Sequence, residues 1–567
     1  MTRILFFLSL FVLSIYGQVI ANEVSLNSKW FLTSASFISN NDTSSIITSS
    51  ETDSLILKEN GVFNYNIKSK DLYAVGEWKA IDGLIYLSYF LPKDTIRSYT
   101  YKITDTSLVL LEKNLNQTNI FTYKINKKEY SITHSEGFTF SSFFRGIIGI
   151  ITLLLIAFLF SKNRKAINWS LVGKGLLLQF ILALLILKVP FVHASFKYVS
   201  SVFVVILDFT SEGSKFLFGS FMNVDSFGYI FAFQVLPTIV FFSAITSLLF
   251  YYGILQKIVY FFARIMKKTL TLSGSESLSA AGNIFLGQTE SPLLIKPYIE
   301  KMTMSELLCL MAGGMATIAG GVFAAYIGFL GGDDPEQRVF FAQHLLMASV
   351  MSAPAAIVAA KILLPETEEF NEKMEISDEK LGGNALEAIS IGTTQGLRLA
   401  INVGAMLLVF VALVAMINYF LEDFIGTKTG LNDWVSEITN SRYKSFSLEF
   451  ILGHIFAPIS WLIGVAKEDI FLVGQLLGEK TILNEFYAYE SLRKMRELGS
   501  LVNEKSLIIS TYVLCGFANL SSIGIQIGGI GSLAPSRRGD LSRLGILALI
   551  AGTLACLFTG VIVGMLI

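Results

Sequence analysis

The sequence predicts an α-helical polytopic membrane protein: about eight transmembrane helices and two re-entrant hairpins in inverted repeats, after a small N-terminal all-β domain. Three observations predict it. Long apolar segments recur from residue 143 to the end, two more apolar stretches are broken by Gly, Pro and carboxylates, and a polar, strand-like segment precedes them all. Bulk numbers agree. The 567 residues are 53% hydrophobic and 16% charged, with mean hydropathy +0.59, against about 25% charged in an ordinary soluble chain. Basic and acidic residues number 44 each, so no global basic field points to nucleic acid. Cys309, Cys515 and Cys556 show no CxxC spacing and the four histidines form no HExxH; neither a disulfide framework nor a zinc site is indicated.

Residues 1–21 hold Arg3, an apolar run from Ile4 to Ile15 and small residues ending at Ala21. That order predicts a secretory signal peptide, because the run is shorter than the ~20 residues a span needs. Residues 22–140 alternate like short strands, as in Val62–Ile67, Leu84–Phe90, Tyr99–Ile103 and Phe121–Ile125. Glu59-Asn60-Gly61 and Ile81-Asp82-Gly83 supply turns between them. A small antiparallel barrel or sandwich is expected, loosely similar to lipocalin-like domains through Gly76-Glu77-Trp78. Nothing in it has catalytic spacing.

Residues 141–567 form the expected membrane domain. Apolar segments at about 143–160, 171–192, 227–252, 305–330, 339–363, 397–421, 505–530 and 544–567 are each long enough to cross ~30 Å of hydrocarbon. The stretches at about 273–298 and 451–490 read as re-entrant hairpins, since irregular backbone survives at membrane depth only where protein or a water-filled cavity covers it. Basic clusters at Lys162/Arg164/Lys165, Lys257/Arg264/Lys267/Lys268 and Arg537/Arg538/Arg543 all fall inside if the β-domain is outside. Residues 254–267 mix aromatic and basic side chains, as an interfacial helix does.

Four polar constellations interrupt this apolar half. Asn283 to Pro292 carries Gly287-Gln288-Thr289-Glu290. A carboxylate near the bilayer centre costs about 2.5–3.5 kcal/mol, so packing alone does not keep Glu290 there. Asn484-Glu485-Phe486 repeats the theme. Small-residue stretches follow each, at Gly313–Gly321 with Thr317 and at Cys515–Gly524 with Asn519 and Ser522. Small residues alone signal tight helix packing. The order signals more, because a carboxylate hairpin precedes a small-residue helix in each half. Paired interrupted elements at corresponding positions point to a transporter site near the membrane midplane.

From about residue 143 the chain resembles the concentrative nucleoside transporters. The stretches that carry the resemblance are Asn163–Trp169, Gly287–Leu293, Leu483–Phe486 and Cys515–Asn519. The resemblance implies a nucleobase held by Gln288, Thr289, Glu290 and Val322, with Phe517 near the base. It implies a ribose held by Glu485, Asn519 and Ser522. It further implies a sodium site from Asn283, the carbonyl of Leu286, Thr317 and the carbonyl of Ile318. A homotrimer with elevator-like motion in the cell (inner) membrane follows from the same likeness, importing uridine-like or purine nucleosides with sodium. The β-domain is then extracytoplasmic, periplasmic in a Gram-negative cell. Two positions depart from the family: Ser291 replaces its usual alanine, and Thr317 replaces a cation-site serine.

The chemistry of these residue types agrees. Carboxylates accept sugar hydroxyl hydrogens in charge-assisted bonds, and Gln offers a donor and an acceptor to a base edge. Three other readings compete. Proton coupling is known among bacterial relatives. A membrane-embedded hydrolase would need a nucleophile–base pair or metal ligands. A receptor would use the β-domain to bind and the spans to signal.

Overall fold

The protein is described from a computed structural model that covers residues 29–567. Its exceptions are the strand connections 40–41, 49–53, 58–60, 68–71, 82, 92, 94, 104–106 and 115–116, and residues 126–134, 136, 224–229, 333, 377–381 and 440–441. The expected signal peptide and the turn residues Glu59, Asn60 and Asp82 lie outside the described residues. The chain divides into two compact units, residues 1–131 and 132–567.

In the first unit the described residues form nine strands of one antiparallel sheet: β1 (Lys29–Ser39), β2 (Asp42–Thr48), β3 (Ser54–Leu57), β4 (Val62–Ile67), β5 (Leu72–Ile81), β6 (Leu84–Leu91), β7 (Thr95–Ile103), β8 (Ser107–Asn114) and β9 (Gln117–Ile125). β3 to β9 run as consecutive hairpins, and β1 pairs with both β3 and β9. The sheet therefore curls onto itself, the up-and-down arrangement of small barrels. The alternation read from the sequence sets the inner face: Trp30, Phe63, Ile85, Leu87, Tyr99, Leu108 and Tyr123 pack into one core.

The second unit is helical. It begins with α1 (Phe140–Phe160), α2 (Trp169–Lys188) and α3 (Pro190–Phe218). On α1, Gly146, Gly149, Leu153 and Ala157 are buried, while Phe144, Ile148, Ile151, Leu155 and Leu159 are exposed. A helix apolar on both faces suits a lipid neighbour rather than water. α3 is a long helix that the sequence reading did not include; Pro190–Met222 is long and apolar enough to cross, as are seven other described helices. The expected span 505–530 is broken into two halves, as the span 305–330 is.

From α4 (Leu236–Tyr251) the architecture repeats. α4 is followed by α5 (Ile254–Leu270), the hairpin arms α6 (Gly274–Gly282) and 291–299, which ends in α7 (Lys296–Ile299), the half-helices α8 (Met304–Ala316) and α9 (Gly320–Gly331), and α10 (Pro335–Leu363). The second series is α11 (Ala385–Tyr419), α12 (Leu448–Leu462), the arms α13 (Ile470–Ile482) and α14 (Glu485–Glu497), the half-helices α15 (Glu504–Leu514) and α16 (Leu520–Leu533), and α17 (Arg538–Leu566). Each series crosses three times, because a re-entrant hairpin returns to its own side. An odd number of crossings starts the second series on the opposite side, so the repeats are inverted.

The boundary of the second hairpin is a correction. The expected range 451–490 took in α12, an apolar helix that packs along α13; the hairpin itself is 470–497, with its tip at Leu483-Asn484. α5 buries Leu255, Val259, Ala263, Met266 and Leu270 and carries Lys267 and Lys268 in its last turn, the one-sided pattern of an interfacial helix. α10 and the broken pair α8–α9 are almost wholly buried by protein, whereas α1, α3 and α11 mostly face outward.

Candidate substrate and cation site

Each hairpin tip meets a helix break. Asn484 caps α14 by accepting the Tyr487 N–H at 2.9 Å, and Asn519 caps α16 by accepting the Ser522 N–H at 2.9 Å. Both are N-caps, the position where an Asn side chain satisfies a free N–H. The two breaks also touch each other. Gly516 has φ +124°, and a Cβ there would lie 2.7 Å from the Ala316 carbonyl oxygen at the end of α8. Only glycine fits that contact and that backbone angle. Cys556 on α17 donates its S–H to the Cys515 carbonyl at 2.9 Å, fixing the break from behind.

A cavity of about 710 Å³ opens where tips and breaks converge. All eight residues expected to touch substrate line it: Gln288, Thr289 and Glu290 from the first tip, Val322 from α9, Glu485 from the second tip, and Phe517, Asn519 and Ser522 from the second break. They come from sequence positions more than 230 apart, as the 3.3 Å bond from Gln288 Nε2 to Ser522 Oγ illustrates. Asn519 Nδ2 donates to Glu485 Oε2 at 2.5 Å, and Glu290 Oε2 accepts the Gly287 N–H at 3.1 Å. Gln288 also packs on Gly314, where a Cβ would come within 2.8 Å of it. The oxygen of the Gln288 amide is buried and has no partner among the described residues.

Sequence reasoning missed part of the lining. Asn484 and, on α11, Leu399, Asn402, Val403 and Met406 close the cavity. Asn484 sat inside a quoted motif, and Asn402 is an amide in an apolar run that was passed over; Leu399, Val403 and Met406 carry no signal of their own.

The four expected cation-site residues gather at the first tip and its break. Asn283 closes α6 and is 1% exposed. Its amide abuts Gly313, whose carbonyl accepts the Thr317 hydroxyl at 2.9 Å. Leu286 and Ile318 are buried in the same junction, where Gly287 packs on Ala319. Neither polar atom of the Asn283 amide has a partner among the described residues. Buried amides are normally hydrogen-bonded, so this oxygen is free for a ligand. Thr317 donates its proton to Gly313, which leaves its lone pairs turned to other ligands. An oxygen set of this kind fits a hard cation. Among the described residues no cluster of three His, Cys, Asp or Glu side chains could hold a metal.

Residues 148–221 and 344–564 match the family models described as the N-terminus and C-terminus of the Na+ dependent nucleoside transporter, and 232–333 match a model described as nucleoside recognition. The chain belongs to the sodium-dependent nucleoside transporter family. An uncharacterized transporter of Haemophilus influenzae is 42% identical over 74% of this chain and 97% of its own length. Solute carrier family 28 member 3 of Eptatretus stoutii is 41% identical and sodium/nucleoside cotransporter 1 of Rattus norvegicus 39%, each over 74% of this chain. The chain spans about three-fifths of these two, 60% and 63% of their lengths. Among solved structures, CNTnw in an inward-facing substrate-bound state is 37% identical, with TM-score 0.66 over 75% of this chain and 98% of that one. The relatives are transporters, and the membrane-enzyme reading is set aside with them.

Proposed function

We propose that this nucleoside transporter is a sodium-coupled symporter that imports nucleosides across the cell (inner) membrane. One observation carries the coupling: Asn283, fully buried at the junction of the first tip and its break, has an amide with no partner among the described residues. A sodium ion there draws oxygen from Asn283, Thr317 and the carbonyls of Leu286 and Ile318. It also ties the tip that carries Gln288, Thr289 and Glu290 to α8. Ion binding and the shape of the base-facing half of the cavity are thereby one event. Glu485, Asn519 and Ser522 take the ribose hydroxyls, Phe517 and Val322 the apolar faces.

One charge moving down 100 mV supplies about 2.3 kcal/mol, enough for more than tenfold accumulation, since about 1.4 kcal/mol is a factor of ten. The motion we propose is elevator-like, with the buried set α8–α10 and α17 travelling against α4 and α11. The outward apolar side chains of α11, such as Leu408, Val411 and Met416, suit lipid and the neighbouring copies of a homotrimer. The N-terminal barrel follows a signal peptide and lies outside the cytoplasm.

The test is uptake of labelled uridine, cytidine, thymidine and adenosine into proteoliposomes, each with a sodium gradient, a proton gradient or neither. Accumulation with sodium alone is expected. Accumulation that follows protons and ignores sodium would replace the sodium reading by proton symport.

A further inference from the structure

Corresponding corners of the two repeats are built with different chemistry. In the first repeat Asn283, at the end of the arm α6, stands beside Gly313 in the last turn of α8. The last turn of a helix leaves carbonyls without intrahelical donors and carries the negative end of the helix dipole. A cation is favoured there. In the second repeat the same corner lies between the last turn of the arm α13 and the last turn of α15. Lys480 occupies it. The side chain is 2% exposed, and Nζ donates to the Val513 carbonyl at 2.7 Å. Val513 precedes the final residue of α15, so its carbonyl is among those the helix leaves free. The neighbouring carboxylate, Glu479, is engaged by Gln475 Nε2 at 2.7 Å. Glu485 follows five residues after Lys480, as the first residue of α14 beyond the tip.

We propose that Lys480 is a tethered cation: in the second repeat its ammonium takes the place that the coupling sodium takes in the first. This rests on the sodium-coupled reading. Both ions join the end of a hairpin arm to the negative end of the half-helix before a break, and each sits just ahead of a tip carboxylate. The difference is covalent attachment. The second tip, Asn484-Glu485, is held in binding geometry at all times. The first tip is completed only when an ion arrives. Sodium therefore acts through one hairpin, and one ion serves a site built on two charged corners. Lys480 is a positioning residue, acting on the nucleoside through Glu485.

The test uses the full-length chain in detergent or nanodiscs. Equilibrium binding of labelled uridine, with adenosine as a second probe, is measured at saturating sodium. The sodium-induced rise in melting temperature is measured without nucleoside. Lys480→Met keeps the stem and removes the charge; it is expected to weaken nucleoside binding at least about 100-fold while keeping the sodium response, because Glu485 loses its counter-charge and Val513 its donor. Lys480→Arg keeps a cation and is expected to lose less than about tenfold. Near-wild-type nucleoside affinity in Lys480→Met overturns the assignment. Loss of its sodium response also overturns it, as that would place Lys480 in the first corner's network. If Lys480→Met does not fold, Lys480→Arg decides: binding lost about 100-fold there means that charge is not what the corner requires. A wild-type chain without any sodium response refutes the sodium-coupled reading instead, and Lys480→Met would still lose nucleoside affinity.

Discussion

At the first tip Glu290 is half-buried and its carboxylate accepts a backbone N–H from its own turn, Gly287, at 3.1 Å. At the second tip Glu485 is 3% exposed and its carboxylate is gripped from a different element by Asn519 at 2.5 Å. Both face one cavity. One tip's carboxylate is wired locally, and at its root the Asn283 amide has no partner among the described residues; the other tip's carboxylate is wired across to the helix break and has a lysine at its root. The lesson is a division of labour within a duplicated frame. In the sodium-coupled reading proposed above, the rigid half takes the constant part of the solute, and the half with open coordination takes the ion and the part that varies.

The largest effect expected from this division is at Glu485. Glu485→Gln keeps the shape and removes the charge-assisted acceptor. Uptake into proteoliposomes, at matched protein, should fall at least about 100-fold, equivalent to about 3 kcal/mol, with the elution volume of the purified protein unchanged. Full uptake by that variant would break the comparison. A smaller and different effect is expected at the other root. Asn283→Ala removes one oxygen from a multi-oxygen site. A sodium titration of uptake should show half-saturation raised about tenfold, or about 1.4 kcal/mol, and maximal uptake recovered at high sodium. An unmoved sodium curve would contradict the ion's place at the first tip. The smallest change sharpens the comparison further. Gln288→Ala removes a neutral donor–acceptor pair worth about 1 kcal/mol. It should raise KM about fivefold and narrow the uridine-to-adenosine ratio of kcat/KM, while dependence on the ribose hydroxyls stays as in wild type.

Most of the architecture was legible because lipid imposes length and apolarity on a span. α1, α2, α10 and α17 stand out as unbroken runs for that reason. α3 did not, since His193, Lys197, Asp208, Glu212 and Lys215 interrupt its apolar residues. The second hairpin was misplaced because its outgoing arm, α14, carries Glu490, Arg493, Lys494, Arg496 and Glu497 and reads as a soluble helix. Its polarity is covered by ion pairs among those same residues, such as Arg493 with Glu490 at 2.7 Å. The cavity's polar residues were legible because a carboxylate or amide in an apolar stretch demands an explanation. The α11 side chains were not, because Leu399 and Val403 look like any lipid-facing residue until the tertiary fold turns them inward. The strands of the N-terminal sheet were visible in their alternation, but its closure through β1 and β9 joins residues some ninety positions apart, beyond the reach of local pattern.

Asn519 has a directional consequence. Its Oδ1 accepts from two donors, the Ser522 N–H at 2.9 Å and the Ser521 hydroxyl at 2.6 Å. That fixes which end of the amide is which, so Nδ2 has to point at Glu485. The sense of hydrogen bonding then runs one way, from the start of α16 through Asn519 to the carboxylate. An ionised Glu485 presents acceptors and nothing else to the cavity. A solute group that brings hydrogens, such as a hydroxyl, completes the chain; an ether or carbonyl oxygen in the same spot meets lone pair against lone pair. With Glu485 as the hydroxyl acceptor proposed above, the helix cap would act as a polarity filter, sorting solutes by what they can donate before shape is consulted.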